Sequence, residues 1–269
     1  MSDSAPSWVH LSLHPLYQTV TRIRFPHQDG HATGFFYNSQ DEDSTTFLVT
    51  NRHVVENSGA DSVRIFTRSL NAPQERDHHG LPISGGEGSD WYSPPSGSDV
   101  DVALIPLDFE LDSINPRIGI DDERSVETGS LAFNIDSILS EKSRVLAGDR
   151  SLVVGYPGHF VDNMFDFPVT RNAIVSSQYG FPYNGNPIFL TDARMHPGMS
   201  GSPVIAGTVT LITHGGIDLW GPAYKLLGVH SSTLRQPMSD TEDNRWLDLN
   251  TAWYAELIEE TIQSEEDIS

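Results

Sequence analysis

The stretch "HPGMSGSP" (196–203) sets a serine between glycines on a turn that runs into an apolar strand, "SPVIAG" (202–207). A free hydroxyl is a weak nucleophile at neutral pH, so such a serine needs a base and an orienting acid beside it. Taken singly, Ser200 reads as a plain turn serine. Two other stretches supply candidate partners. His53 lies in "FLVTNRHVVEN" (47–57), directly after an apolar strand. Asp101 lies in "SDVDVALIPL" (98–107), at the start of another. Each has an ordinary reading too: His53 as a strand-end histidine, and Asp101 as a loop cap with Asp90 and Asp99 as nearby competitors. The chain order is His, Asp, Ser, with separations of 48 (53 to 101) and 99 (101 to 200) residues. The α/β-hydrolases run Ser, Asp, His, so the order argues against an esterase of that class.

Outward from these stretches the pattern is one of short strands. "YQTVTRIRF" (17–25), "GHATGFFYN" (30–38), "TTFLVTN" (45–51), "DSVRIFT" (61–67) and "DVALIPL" (101–107) are separated by turn formers. Residues 71–99 are almost all turn formers and predict a loop with at most a short strand. After a polar stretch near 110–127 the pattern resumes with "SLAF" (130–133), "RSLVVGYP" (150–157), "NAIVSSQYG" (172–180), "PIFLTD" (187–192), "SPVIAG", "TVTLITH" (208–214) and "KLLGVHSS" (225–232). A strand about every ten residues predicts an all-β barrel or sandwich. The two halves would meet near residues 108–128. The end changes period: Trp253, Tyr254, Leu257, Ile258 and Ile262 are spaced for a helix over 250–263, capped by Asn250 or Thr251.

Composition narrows the function classes. The 269 residues are 37% hydrophobic and 20% charged, which suits a globular chain. No apolar run approaches the roughly 18 residues of a membrane helix. "MSDSAPSWVHLSLHPLY" (1–17) lacks the basic start and apolar core of a secretory signal, so a cytoplasmic location is expected. Cys is 0, which excludes disulfides and thiolate chemistry. The net charge of -21 leaves no basic footprint for nucleic acid. Lys142 and Lys225 are the two lysines among 16 basic residues, a balance similar to that of salt-adapted proteins. High salt would screen the self-repulsion. Neither cofactor nor metal is expected. His78 and His79 in "DHHGLP" (77–82) have no clear third ligand. "SGGEGSD" (84–90) lacks the lysine of a phosphate loop, and the acidic runs at 41–43 and 121–123 read as solvated loops.

Together the three stretches resemble the catalytic blocks of trypsin-like serine proteases, the chymotrypsin-fold group. "TDARMHPGMSGSP" (191–203) is similar to the nucleophile block of bacterial heat-shock-type proteases. "GMSGSPV" (198–204) followed by "LLGVHSS" (226–232) is closer to glutamyl endopeptidases. The likeness runs from about Thr33 to Ser232. It implies two six-stranded antiparallel β-barrels with the active site between them, plus a C-terminal α-helix. The protease domain would span 15–248, with barrels at about 15–110 and 125–248. The resemblance makes Ser200 the nucleophile, His53 the general base and Asp101 its orienting acid. It favours Asp101 over its competitors because Asp101 adjoins "VALIPL". It assigns the oxyanion hole to the N–H groups of Gly198 and Ser200.

The family pattern is broken at two places. Zymogen-type members carry an aspartate before the serine, paired with a freed N-terminal amine. Met199 stands there, and a thioether cannot form that ion pair. Ser202 replaces a glycine, as it does in glutamyl endopeptidases. The resemblance puts Arg194 at the base of the substrate pocket and matches His230 to the histidine that reads an acidic side chain. Ser231, Ser232 and Thr233 would line the wall. The expected activity is therefore a serine endopeptidase acting on polypeptides, with a preference for cleavage after Glu or Asp. The alternative is a peptide-binding module that kept the fold and lost turnover. Activity without zymogen cleavage would need restraint, so a regulatory protein partner or gating by the 71–99 loop is expected.

Overall fold

A computed structural model describes residues 15–39, 44–68, 75–85, 90–95, 99–109, 111, 132–139, 142–158, 160, 162–206, 212–213, 216–217, 224–236 and 245–266. After a short helical turn α1 (Pro15–Thr19), six strands form one antiparallel sheet: β1 (Val20–Arg24), β2 (His31–Asn38), β3 (Thr46–Thr50), β4 (Ser62–Arg68), β5 (Arg76–Pro82) and β6 (Ala103–Pro106). Their spatial order is β5-β4-β1-β2-β3-β6. Six more strands close a barrel in the order β10-β13-β14-β9-β8-β7. These are β7 (Arg150–Gly155), β8 (Val169–Val175), β9 (Ile188–Asp192), β10 (Pro203–Ala206), β13 (Leu226–Gln236) and β14 (Arg245–Tyr254). Between β10 and β13, a small hairpin pairs β11 (Ile212–Thr213) with β12 (Gly216–Ile217).

This is the two-barrel chymotrypsin fold. One detail departs from two closed barrels. The first sheet curls but stays open, because among the described residues β5 and β6 remain its two edges.

Most strands are apolar on both faces, and the cores show why. Along β2, Phe36 faces the interior of the first sheet, while Phe35 and Tyr37 join a second cluster. Along β7, Val153 lies inside the closed barrel and Val154 joins that same second cluster. Alternate side chains thus fill each barrel and the seam between them. The seam also takes Trp253 of β14 and Leu257, Ile258 and Ile262 of the C-terminal helix. Full burial of such side chains is worth roughly 1.5–3 kcal/mol each.

Two expectations are corrected. Strand β14 runs to Tyr254, and helix α3 spans Glu256–Glu266, so Asn250 and Thr251 lie in a strand and cap nothing. Residues 249–253 pair with β9 along their whole length, and this pairing overrides the helical spacing of the apolar residues. Within residues 71–99, β5 is a full seven-residue strand paired with β4. It is an edge strand on which only Leu81 is buried, so no alternation marked it. Most of the expected junction at 108–128, and the acidic runs at 41–43 and 121–123, lie outside the described residues.

Candidate active site

His53 stands on the first turn of α2 (Arg52–Glu56), a short helix that follows β3 after Asn51. Buried Val54 and Val55 anchor that helix. Asn51, itself fully buried, donates from Nδ2 to the Asp101 backbone oxygen over 2.8 Å. The helix and the Asp101 segment are therefore tied together before any charged group is considered.

Both carboxylate oxygens of Asp101 are engaged by His53. The His53 backbone N–H donates to Oδ1 over 2.8 Å, and ring Nδ1 lies 2.7 Å from Oδ2. An ionised carboxylate only accepts, so Nδ1 carries the proton and Nε2 of the neutral ring keeps its lone pair. The histidine side chain is 41% exposed and the aspartate 18%. The pair is therefore partly open to solvent.

Ser200 arrives from the other barrel. Its turn is fastened by Thr33 N–H to Ser200 O at 2.9 Å and by Gly201 N–H to His230 O at 3.0 Å. Gly198 and Gly201 have φ of +94° and +84°, where side chains are strained. A Cβ at Gly198 would also strike Tyr156 O and the His31 ring, and one at Gly201 would strike Thr33 O and Thr50 Oγ1. The Pro197 carbonyl accepts from Gly158 N–H at 2.6 Å. In a trans peptide the N–H points opposite to the carbonyl, so Gly198 N–H is turned away from that bond.

One residue joins the two sides. Ser231 Oγ donates to Asp101 Oδ2 at 2.5 Å, and Ser231 O accepts from Ser200 Oγ at 3.3 Å. Sequence reading had placed Ser231 in the pocket wall alone. Among the described residues, the Ser200 hydroxyl bonds to that carbonyl and not to His53.

The sequence model of the trypsin-like peptidase domain matches residues 32–212. The chain belongs to the trypsin-like peptidase domain family. Within this trypsin-like peptidase, the matched segment contains His53, Asp101 and Ser200. A crystal structure of Rv3671c from M. tuberculosis H37Rv, a serine-to-alanine mutant in inactive form, is similar at 17% identity and TM-score 0.46, covering 93% of this chain and 87% of that one. A crystal structure of the Rv3671c protease in inactive form gives 17% and 0.46, covering 93% and 89%. Comparison with curated proteins found no match.

Most of the remaining site candidates of this peptidase lie along the bulged middle of β13. His230 is 3% exposed, and its Nδ1 is buried without a hydrogen-bond partner among the described residues. Burial, reinforced by neighbouring His53 and opposed by Asp101, holds its pKa down to about 4. It is therefore neutral at pH 7. Ser232 Oγ lies 3.0 Å from Thr251 Oγ1, and Thr233 Oγ1 donates to Asn250 Oδ1 at 2.7 Å. Asn250 in turn donates to Ala193 O at 2.6 Å, fixing the segment that leads to Arg194. The Arg194 side chain is exposed, and its backbone oxygen accepts from Arg171 Nη2 at 2.5 Å. Met199 is fully buried in the closed barrel, against Ser202 Oγ at 4.0 Å. Far from this region, His79 stacks on Phe109 at 3.9 Å and bonds to Thr67, while His78 meets Phe66 edge-on.

Proposed function

We propose that this trypsin-like peptidase is a serine endopeptidase. Ser200 Oγ attacks the scissile carbonyl. His53 Nε2 takes the hydroxyl proton and returns it to the leaving amine. Asp101 holds the ring tautomer and stabilises the imidazolium. The N–H groups of Gly198 and Ser200 receive the oxyanion, a contribution of about 3 kcal/mol for each donor. Water then hydrolyses the acyl-enzyme by the same proton route. The observation that carries this reading is the pair of hydrogen bonds from His53 to Asp101, linked through Ser231 to the Ser200 turn. Rotating the Ser200 side chain off Ser231 O frees the hydroxyl for His53, and such bonds often tighten only with substrate present.

The substrate class we infer is a polypeptide with Glu or Asp before the cut. His230, neutral and on β13 beside β14, is the group suited to donate a ring N–H to a carboxylate there. Arg194 is the cationic alternative nearer the surface. A net charge of -21 repels acidic peptides at low salt, so activity on them rises with ionic strength.

The Ser200–Ser231 bond favours one competing reading, a peptide-binding module without turnover. A fluorophosphonate probe separates the two. Labelling that disappears in Ser200→Ala supports the enzyme; peptide binding with no labelling even at high salt supports the module. Digestion of a peptide library at about 0.1 M and about 3 M salt reads the preference and its screening together. Cleavage mainly after Ala or Val would end the acidic-pocket assignment.

A further inference from the structure

Four of the chain's 16 basic residues surround one carboxylate behind the Ser200 turn. Asp166 lies between β7 and β8 with a side chain 3% exposed and φ of +56°. Its Oδ2 receives Arg22 Nη2 at 2.5 Å, Arg76 Nη1 at 3.2 Å and Arg24 Nη2 at 3.3 Å. Arg68 holds the backbone of the same loop, donating to Phe165 O at 2.6 Å and to Asp166 O. Arg22 and Arg24 come from β1, Arg68 from β4 and Arg76 from β5, all in the first sheet. The carboxylate comes from the second barrel. Asp162, which bonds through its backbone oxygen to Asp166 N–H, is the other acidic group facing it.

From this clamp a continuous path runs to the Ser200 turn. Tyr156 OH donates to Asp166 O at 3.1 Å and accepts from Arg68 at 3.2 Å. At the other end of the same residue, Tyr156 O meets His31 Nε2 at 2.9 Å, and Tyr156 N–H donates to Thr33 Oγ1 at 3.0 Å. That hydroxyl donates onward to Gly198 O at 2.7 Å. Two residues later, Gly158 N–H holds the Pro197 carbonyl. The orientation of the Pro197–Gly198 peptide is therefore fixed by the loop that Asp166 anchors.

We propose that Asp166 and its arginines are positioning residues that hold residues 156–158 and 162–166 and, through them, the orientation of the Pro197–Gly198 peptide whose N–H receives the oxyanion. This rests on the serine-peptidase reading and supplies what Met199 cannot: a charged anchor for the turn. Buried ion pairs are weak contributors to stability compared with packed apolar groups, so a positional role better accounts for three arginines on one carboxylate and a fourth on its backbone. None of these residues touches substrate.

The test compares the full-length protein with Asp166→Asn, which keeps the shape and removes the charge. Hydrogen exchange is followed over 156–166 and 197–202, and peptide turnover is measured with active-site titration. Exchange in both segments is expected to quicken by about tenfold or more, and kcat per titrated site to fall roughly 10²-fold with KM little changed, as for loss of an oxyanion donor. A loop that loosens while exchange over 197–202 and kcat stay at the wild-type level overturns the proposal. If Asp166→Asn does not fold, the double variant Arg24→Gln/Arg76→Gln, at the more exposed edge, carries the same comparison and the same criteria. If the wild type neither labels nor cuts peptides, the peptidase reading fails, while exchange over 197–202 still decides whether the clamp holds the turn.

Discussion

Two carboxylates bridge the barrels, and they are built in opposite ways. Asp101 belongs to the first sheet and reaches Ser231 of the second; Asp166 belongs to the second barrel and is gripped by arginines of the first. Asp101 is partly exposed and surrounded by neutral donors: a backbone N–H, a hydroxyl and an imidazole. Asp166 is sealed and faces guanidinium groups that never release a proton. A carboxylate whose partner is an imidazole, with one ring nitrogen left to face a hydroxyl, is equipped for chemistry. One whose partners are permanently charged is equipped to hold still.

The largest effect that can break this contrast is at Asp101. Asp101→Asn keeps the shape but presents an amide to the ring, favouring the wrong tautomer. It is expected to lower kcat by about 10⁴-fold, as this change does in serine-protease triads generally, with little change in melting temperature. A fall of only about 10²-fold, the size expected at Asp166, would make Asp101 a positioning residue of the same kind.

His230 sharpens the contrast from the other side, because it shows that a histidine near Asp101 is not automatically a proton carrier. Burial lowers its folded pKa to about 4, below the ordinary value of 6.5. Between those values the unfolded chain binds the extra proton. The stability contribution is therefore complete above about pH 6.5 and lost as pH falls toward 4, by about 3 kcal/mol. Chemical denaturation of wild type and His230→Gln at pH 7 and pH 4 checks this. The variant should lose less stability on acidification by about that amount, and equal losses would refute the assignment.

The smallest expected effect is at the bridge itself. Ser231→Ala removes one donor from Asp101 while leaving the Ser231 carbonyl in place. Loss of a hydrogen bond to a charged group implies roughly a tenfold fall in kcat. The pH–rate profile should shift, since the carboxylate that supports the imidazolium is less well satisfied. An unchanged profile would reduce Ser231 to a wall residue, as its sequence position alone suggested.

The contrast also explains what could be read from the sequence. His53, Asp101 and Ser200 each adjoin an apolar strand, in stretches whose residue order is local information, so the sequence could single them out. The strands themselves were found by apolar runs between turn formers. Asp166 was not found, because its partners lie 142 and 144 positions away at Arg24 and Arg22. A signal did exist: "VTRIRF" (20–25) puts two arginines two residues apart on a strand otherwise destined for burial. Charges there demand a counter-charge, but nothing local says which. Asn250 and Thr251 misled for a related reason. Their strand is set by pairing with β9, and the helical spacing of Trp253 and Tyr254 with Leu257 and Ile258 was an accident of a strand running into a helix. Tyr156 could be placed directly after a strand in "RSLVVGYP" (150–157), but the partners of its hydroxyl could not be seen there.

The seam between the barrels has a consequence for how the molecule comes apart. Phe35, Tyr37, Val154, Trp253 and the apolar face of α3 belong to one cluster drawn from both halves. Either half expressed alone would leave that cluster facing water. The chain should therefore denature as a single cooperative unit rather than one barrel at a time.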